Sequence, residues 1–107
     1  MSDDAVLVVL CTVPTAQVGT ELARKLVGER LAACVNLLPA MQSFYEWQGE
    51  LHEEPECQLV IKTRAGRFDA LRAWLTQHHP YDEPEILALP VARGSPSYLD
   101  WVRTQTA

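Results

Sequence analysis

From Ala5 to Val13 the chain runs Ala-Val-Leu-Val-Val-Leu-Cys-Thr-Val, apolar and largely β-branched at both parities of a strand. A run of this kind needs cover on both faces of its sheet, so the fold has to place a layer on each side of it. Pro14 ends the strand. Thr15 then offers a helix N-cap, and Val18, Leu22, Leu26 and Val27 recur at helical spacing against a polar side of Gln17, Glu21, Arg24 and Lys25, which predicts a helix to about Arg30.

Leu31 to Leu38 predicts a second strand, bent at Pro39 and continued from Met41 to Trp47. Gln48-Gly49-Glu50 is a turn signal, and strand character resumes from Glu56 to Thr63, so the two strands form a long β-hairpin. A second helix is expected from about Arg67 to His78, with Phe68, Leu71, Trp74 and Leu75 on one face. Glu85 to Val91 is a fourth strand, and Gly94-Ser95-Pro96-Ser97 opens a short last helix carrying Tyr98, Leu99, Trp101 and Val102.

The order β-α-β-β-α-β with a terminal helix predicts an α+β fold, ferredoxin-like, with an antiparallel sheet and both main helices on one face. The other face is apolar too, since Val6, Val8 and Leu10 alternate with Leu7, Val9 and Cys11. The last helix covers only part of it, which predicts a homo-oligomer. The hairpin is expected to reach a neighbouring subunit, because a free edge of that length invites aggregation.

The same plan brings the end of strand one with Cys11, the end of helix two with His78 and His79, and the start of strand four at Glu85 to one edge. A thiolate, one or two imidazoles and a carboxylate become possible neighbours there, and these are ligand types that suit copper and zinc. Taken alone, adjacent histidines more often finish a helix, and a lone strand cysteine is more often core. Cys34 is assigned to the core and Cys57 receives no role. Tyr45, Trp47, Lys62 and Tyr81 form a second cluster around the hairpin. Subunit packing is the preferred reading of that cluster, and a cleft for a small anion or metabolite with Lys62 as charge partner is the alternative. Glu50, Glu53, Glu54 and Glu56 are taken as a solvated acidic rim.

At 107 residues the chain makes one domain, 1–107, and a net charge of −5 argues against nucleic acid, which needs a basic stripe. The apolar start is too short for a membrane span and lacks the basic flank of a secretory signal. Three cysteines without C-x-x-C spacing are expected as free thiols, and the protein is expected to be cytoplasmic.

Several motifs together resemble those of the CutA divalent-cation tolerance proteins, over about Val9 to Trp101. They are Leu10-Cys11-Thr12-Val13-Pro14, Leu31-Ala32-Ala33-Cys34-Val35-Asn36, Ser43-Phe44-Tyr45-Glu46-Trp47-Gln48-Gly49, Ile61-Lys62-Thr63, and His78-His79-Pro80-Tyr81 with Pro84-Glu85-Ile86. The resemblance implies a ferredoxin-like homotrimer, related in architecture to the PII signalling proteins. It also implies a role in the response to metal ions, with copper ion, and other divalent cations, bound at Cys11, His78 and His79. The protein partner is unknown. A PII-like regulatory or scaffolding trimer with ligands in its inter-subunit clefts is the alternative function. An acylphosphatase is disfavoured because Cys11-Thr12-Val13-Pro14-Thr15 lacks the glycines and arginine of a phosphate loop. A heavy-metal-associated chaperone would need two cysteines there. No nucleophile and base stand at a persuasive spacing, so no enzyme is expected.

Overall fold

The computed structural model describes residues Met1–Ala107. Its elements are β1 (Val6–Val13), α1 (Ala16–Gly28), β2 (Cys34–Trp47), β3 (Glu50–Arg64), α2 (Ala65–His78), β4 (Leu87–Pro90) and α3 (Pro96–Gln105). The strands form one antiparallel sheet in the order β2-β3-β1-β4, the split βαβ plan expected from the sequence.

β1 lies between β3 and β4, and its two parities meet different surroundings. Leu7, Val9, Cys11 and Val13 stand opposite Thr63, Ile61, Leu59 and Cys57, and all eight are buried. Leu22 and Leu26 of α1 and Leu71 and Leu75 of α2 close over this face to make the main core. On the other face Val8 pairs with Leu89 and Leu10 with Leu87, and the two β4 leucines remain 51% and 56% exposed. Here α3 covers one corner only, where Val102 packs on Val6 and Ala33. Arg64 and Arg67 hold its end by donating from Nε to the Thr106 carbonyl at 2.8 and 3.0 Å, a favourable use of cations at a helix C-terminus.

Local chemistry explains where the elements begin and end. Thr15 caps α1 by accepting the Val18 amide on its side chain at 3.1 Å, a bond worth about 1 kcal/mol. The helix stops at Gly28, because Arg30 turns into the left-handed region with φ 59°. Leu31 and Ala32 then donate to the Leu26 carbonyl, so β2 starts at Cys34 and not at Leu31. Val27, expected on the buried side of α1, is 44% exposed. α2 begins at Ala65, two residues early, since the N-terminal tail supplies carbonyls of Ala5 and Asp3 to the amides of Ala65 and Gly66.

The bend expected at Pro39 is a register shift between Leu38 and Met41, with Ala40 at φ 51°. Beyond it the two strands leave the core as a paired arm that ends in a two-residue turn, Gln48 at φ 50° and Gly49 at φ 82°. Two successive left-handed residues suit a type I′ hairpin, which is why a glycine stands at the second. β3 therefore begins at Glu50 and not at Glu56. Its first residues carry no apolar alternation because no part of the protomer covers the arm. β4 is shorter than expected, as Glu85 is held by side-chain bonds outside the ladder and Pro90 lacks an amide proton.

Candidate functional site

The segment from His79 to Ile86 crosses the end of β1 and meets the base of the arm, so the edge predicted to gather chemistry does gather it. His79 is buried, and its Nε2 lies 2.8 Å from the Thr12 carbonyl while its Nδ1 accepts the Tyr81 amide at 3.1 Å. This pair of bonds assigns the neutral tautomer with the proton on Nε2. Next along, the Thr12 hydroxyl lies 3.0 Å from Glu85 Oε2, and Gln58 Nε2 donates to the same oxygen at 3.2 Å. Tyr81 donates its phenol proton to Glu56 Oε2. Glu56 is 6% exposed, unlike the solvated rim residue expected from the run of acids around it.

The proposed metal ligands do not meet as a set. Cys11 is fully buried on the helix-covered face, and burial, followed by the Glu85 carboxylate, pushes its thiol up to about 12. A thiol held protonated is a poor ligand, since metals bind the thiolate. His78 is exposed and points along the outside of α2, its ring stacked on Trp74 at 4.3 Å and its Nδ1 2.8 Å from the Trp74 carbonyl. Both nitrogens of His79 are engaged by backbone groups. No three His, Cys, Asp or Glu side chains anywhere in the chain come together to hold a metal ion. The copper ion, or other divalent cation, expected as a cofactor on Cys11, His78 and His79 is corrected accordingly: the protomer offers it no ligand cluster.

What the edge does form is a cleft of about 680 Å3 between the arm and the turn. Phe44, Tyr45 and Trp47 come from the arm and Pro80 and Tyr81 from the turn. Glu56, Asp82, Glu83 and Glu85 contribute carboxylates, and no lysine or arginine lines it. Lys62, expected as an anion partner here, lies instead on the open sheet face, where it bonds Asn36 Oδ1 and stands opposite Val8. The cleft is therefore acidic, the opposite of what the alternative reading, an anion held by Lys62, requires. Sequence reasoning found Tyr45, Trp47 and Tyr81 but missed Glu56. Its signal was its place beside the register shift, directly before the buried run that begins at Cys57.

His79 carries a pH prediction. Burial lowers its pKa, outweighing the Thr12 carbonyl and the Glu56 charge, which act the other way. Protonating Nδ1 would also set an N–H against the Tyr81 amide. The unfolded chain therefore takes up the proton first, and the stability from neutral His79 is present above the unfolded pKa of 6.5. It declines as pH falls below that value. Urea unfolding at stepped pH should show this acid-side loss in the wild type and a flatter profile in His79→Gln.

The element order, the sheet order and the apolar face that α3 covers only at one corner define a ferredoxin-like α+β domain with an added hairpin arm and C-terminal helix. The model of the CutA1 divalent ion tolerance protein family matches residues 7–105. The divalent-cation tolerance protein CutA of Thermus thermophilus is 50% identical over 99 residues, which are 92% of this chain and 96% of that protein. The Escherichia coli divalent-cation tolerance protein CutA is 45% identical over 101 residues, 94% of this chain and 90% of its own length. The solved structure of the divalent cation tolerance protein (Cut A1) from Thermus thermophilus superposes with a TM-score of 0.93 at 48% identity, covering 95% of this chain and 99% of that one. The chain belongs to the CutA1 divalent ion tolerance protein family. The family's description names tolerance of an ion and no reaction.

Proposed function

We propose that the chain serves divalent-cation tolerance as a homotrimer in the cytoplasm, acting through its assembly and its clefts without a resident metal. The observation that carries this reading is the open sheet face. Leu87 and Leu89 are more than half exposed beside Leu10 and Val8, and Phe44, Trp47 and Leu51 stand out along the arm at 65%, 48% and 76% exposure. Exposed large apolar side chains at both places, in a chain of this size, fit contact with further copies of itself. Three free cysteines are consistent with a reducing compartment. A second reading, a PII-like trimer that responds to a small ligand, is favoured by the cleft at the foot of the arm, whose volume lies in the range of small-molecule sites.

Complementation tests the functional claim. In a strain lacking its own copy and sensitised to divalent metal salts, the wild-type chain should restore growth. The double variant Leu87→Glu with Leu89→Glu should not. Full rescue by that variant, if it is monomeric, would show that the assembly is not the working unit.

A further inference from the structure

We propose that residues 79–86 form an acid-released strap, in which a proton taken up on His79 Nδ1 frees the segment from β1 and from the foot of the arm and opens the cleft on that side. The inference concerns a movement within the protomer, and it stands apart from both the trimer and the reading of the cleft as a ligand site.

The first argument is how the segment is held. It carries neither helix nor strand, and none of the backbone hydrogen bonds made outside the regular elements involves residues 80–86. Side chains hold it instead. Thr12 pins both ends, its carbonyl taking His79 Nε2 at one end and its hydroxyl bonding Glu85 at the other, where Gln58 also donates to Glu85. The middle is pinned by the Tyr81 phenol, which donates to Glu56 beside the register shift of the arm. A segment held by a few side-chain bonds opens more readily than the sheet beneath it.

The second argument is the place of His79 among these bonds. Its Nδ1 accepts the Tyr81 amide at 3.1 Å, and the two rings lie 4.8 Å apart, so one imidazole orients the residue that reaches Glu56. The neutral ring serves both of its bonds, as donor to Thr12 and acceptor from Tyr81. The imidazolium is a donor at both nitrogens and sets an N–H against the Tyr81 amide.

The third argument is the charge around the ring. β1 presents the Thr12 carbonyl and, 3.9 Å from that oxygen, the Cys11 thiol, which burial keeps neutral. β3 presents the Glu56 carboxylate, and the strap itself carries the Tyr81 phenol and the Glu85 carboxylate. The end of α2 adds His78, turned outward onto Trp74. Burial disfavours the imidazolium more than the Thr12 carbonyl and Glu56 favour it, so the open strap takes up the proton before the closed one does. Opening is therefore promoted as pH falls below 6.5, the value of the free side chain. It also withdraws Pro80, Tyr81, Asp82, Glu83 and Glu85 from the cleft, whose other wall is the arm.

Amide hydrogen exchange of the full chain, read residue by residue by NMR across about pH 5 to 8, tests this over the range in which histidine titrates. Protection is taken relative to the unfolded chain at each pH. The Tyr81 amide should be less protected than that of Val9, which lies in the core strand and exchanges only when the whole domain unfolds. Protection of Tyr81 should also fall by up to about tenfold over the first pH unit below 6.5, the slope for one proton taken up on opening. His79→Gln supplies a donor and an acceptor without titrating, and should leave the protection of Tyr81 independent of pH. If that variant does not fold, Tyr81→Phe carries the test. It keeps His79 and loses only the bond to Glu56, so the amide at position 81 should lose protection several-fold at neutral pH. Equal protection of Tyr81 and Val9 at every pH, protection of Tyr81 that pH does not change, the same pH dependence in His79→Gln, or unaltered protection in Tyr81→Phe would overturn the inference.

Discussion

Replacing Leu59 with alanine is expected to lower the stability of the fold by about 3 kcal/mol, the middle of the range for a fully buried leucine. Leu59 lies at 0% exposure, opposite Cys11 of β1 on one side and Leu37 of β2 on the other. Its face of the sheet is closed by Leu22 and Leu26 from one helix and Leu71 and Leu75 from the other. The cavity left by alanine would sit where both helices and three strands meet, with little freedom to collapse. For a domain of this size the loss corresponds to a fall in melting temperature of roughly 12 °C or more. Thermal unfolding followed by circular dichroism reads it directly. A fall of only one or two degrees would mean that the core described around β3 is wrong.

The second large effect concerns the open face. In the paired variant Leu87→Glu with Leu89→Glu, each protomer should keep its secondary structure, since both positions are solvent-facing in the isolated chain. Assembly should fail. Each leucine has about half its side-chain surface left to bury, worth roughly 1 kcal/mol apiece. Over a trimer this amounts to about 6 kcal/mol, or about four orders of magnitude in the association constant. Glutamates in the same places add the cost of taking charge out of water. Sedimentation should therefore show a trimer in the wild type and a folded monomer in the variant. A variant that stays assembled would move the contact elsewhere.

Much of the fold was legible because its strongest signals are local. The apolar run at both parities identified β1, Thr15 marked the start of α1, and Pro39 announced the bend that the register shift accommodates. The missed boundaries depend on distant partners. The start of α2 depends on carbonyls lent by Asp3 and Ala5, about sixty residues away in sequence. The first residues of β3 pair only with the other strand of an arm that no core covers, so no periodicity marks them.

The site was legible in place and not in content. His78 and His79 are indistinguishable by type, yet one step along the chain puts the first on the outside of α2 against Trp74 and the second in a cage of backbone groups. Cys11 falls on the parity that the helices cover, where burial holds the thiol neutral. Glu56 is hidden in a run of acids, and only Tyr81, reaching back across the cleft, distinguishes it. Local pattern located the edge. Long-range packing decided which groups on it remain free.

The most direct test of the account is the mass of the wild-type protein by multi-angle light scattering at micromolar concentration. The predicted result is three times the 12.0 kDa chain mass, unchanged on dilution to the lowest concentration that scatters measurably. A particle of 12.0 kDa would contradict the account, because Leu87, Leu89 and the arm would then remain in water with nothing to cover them.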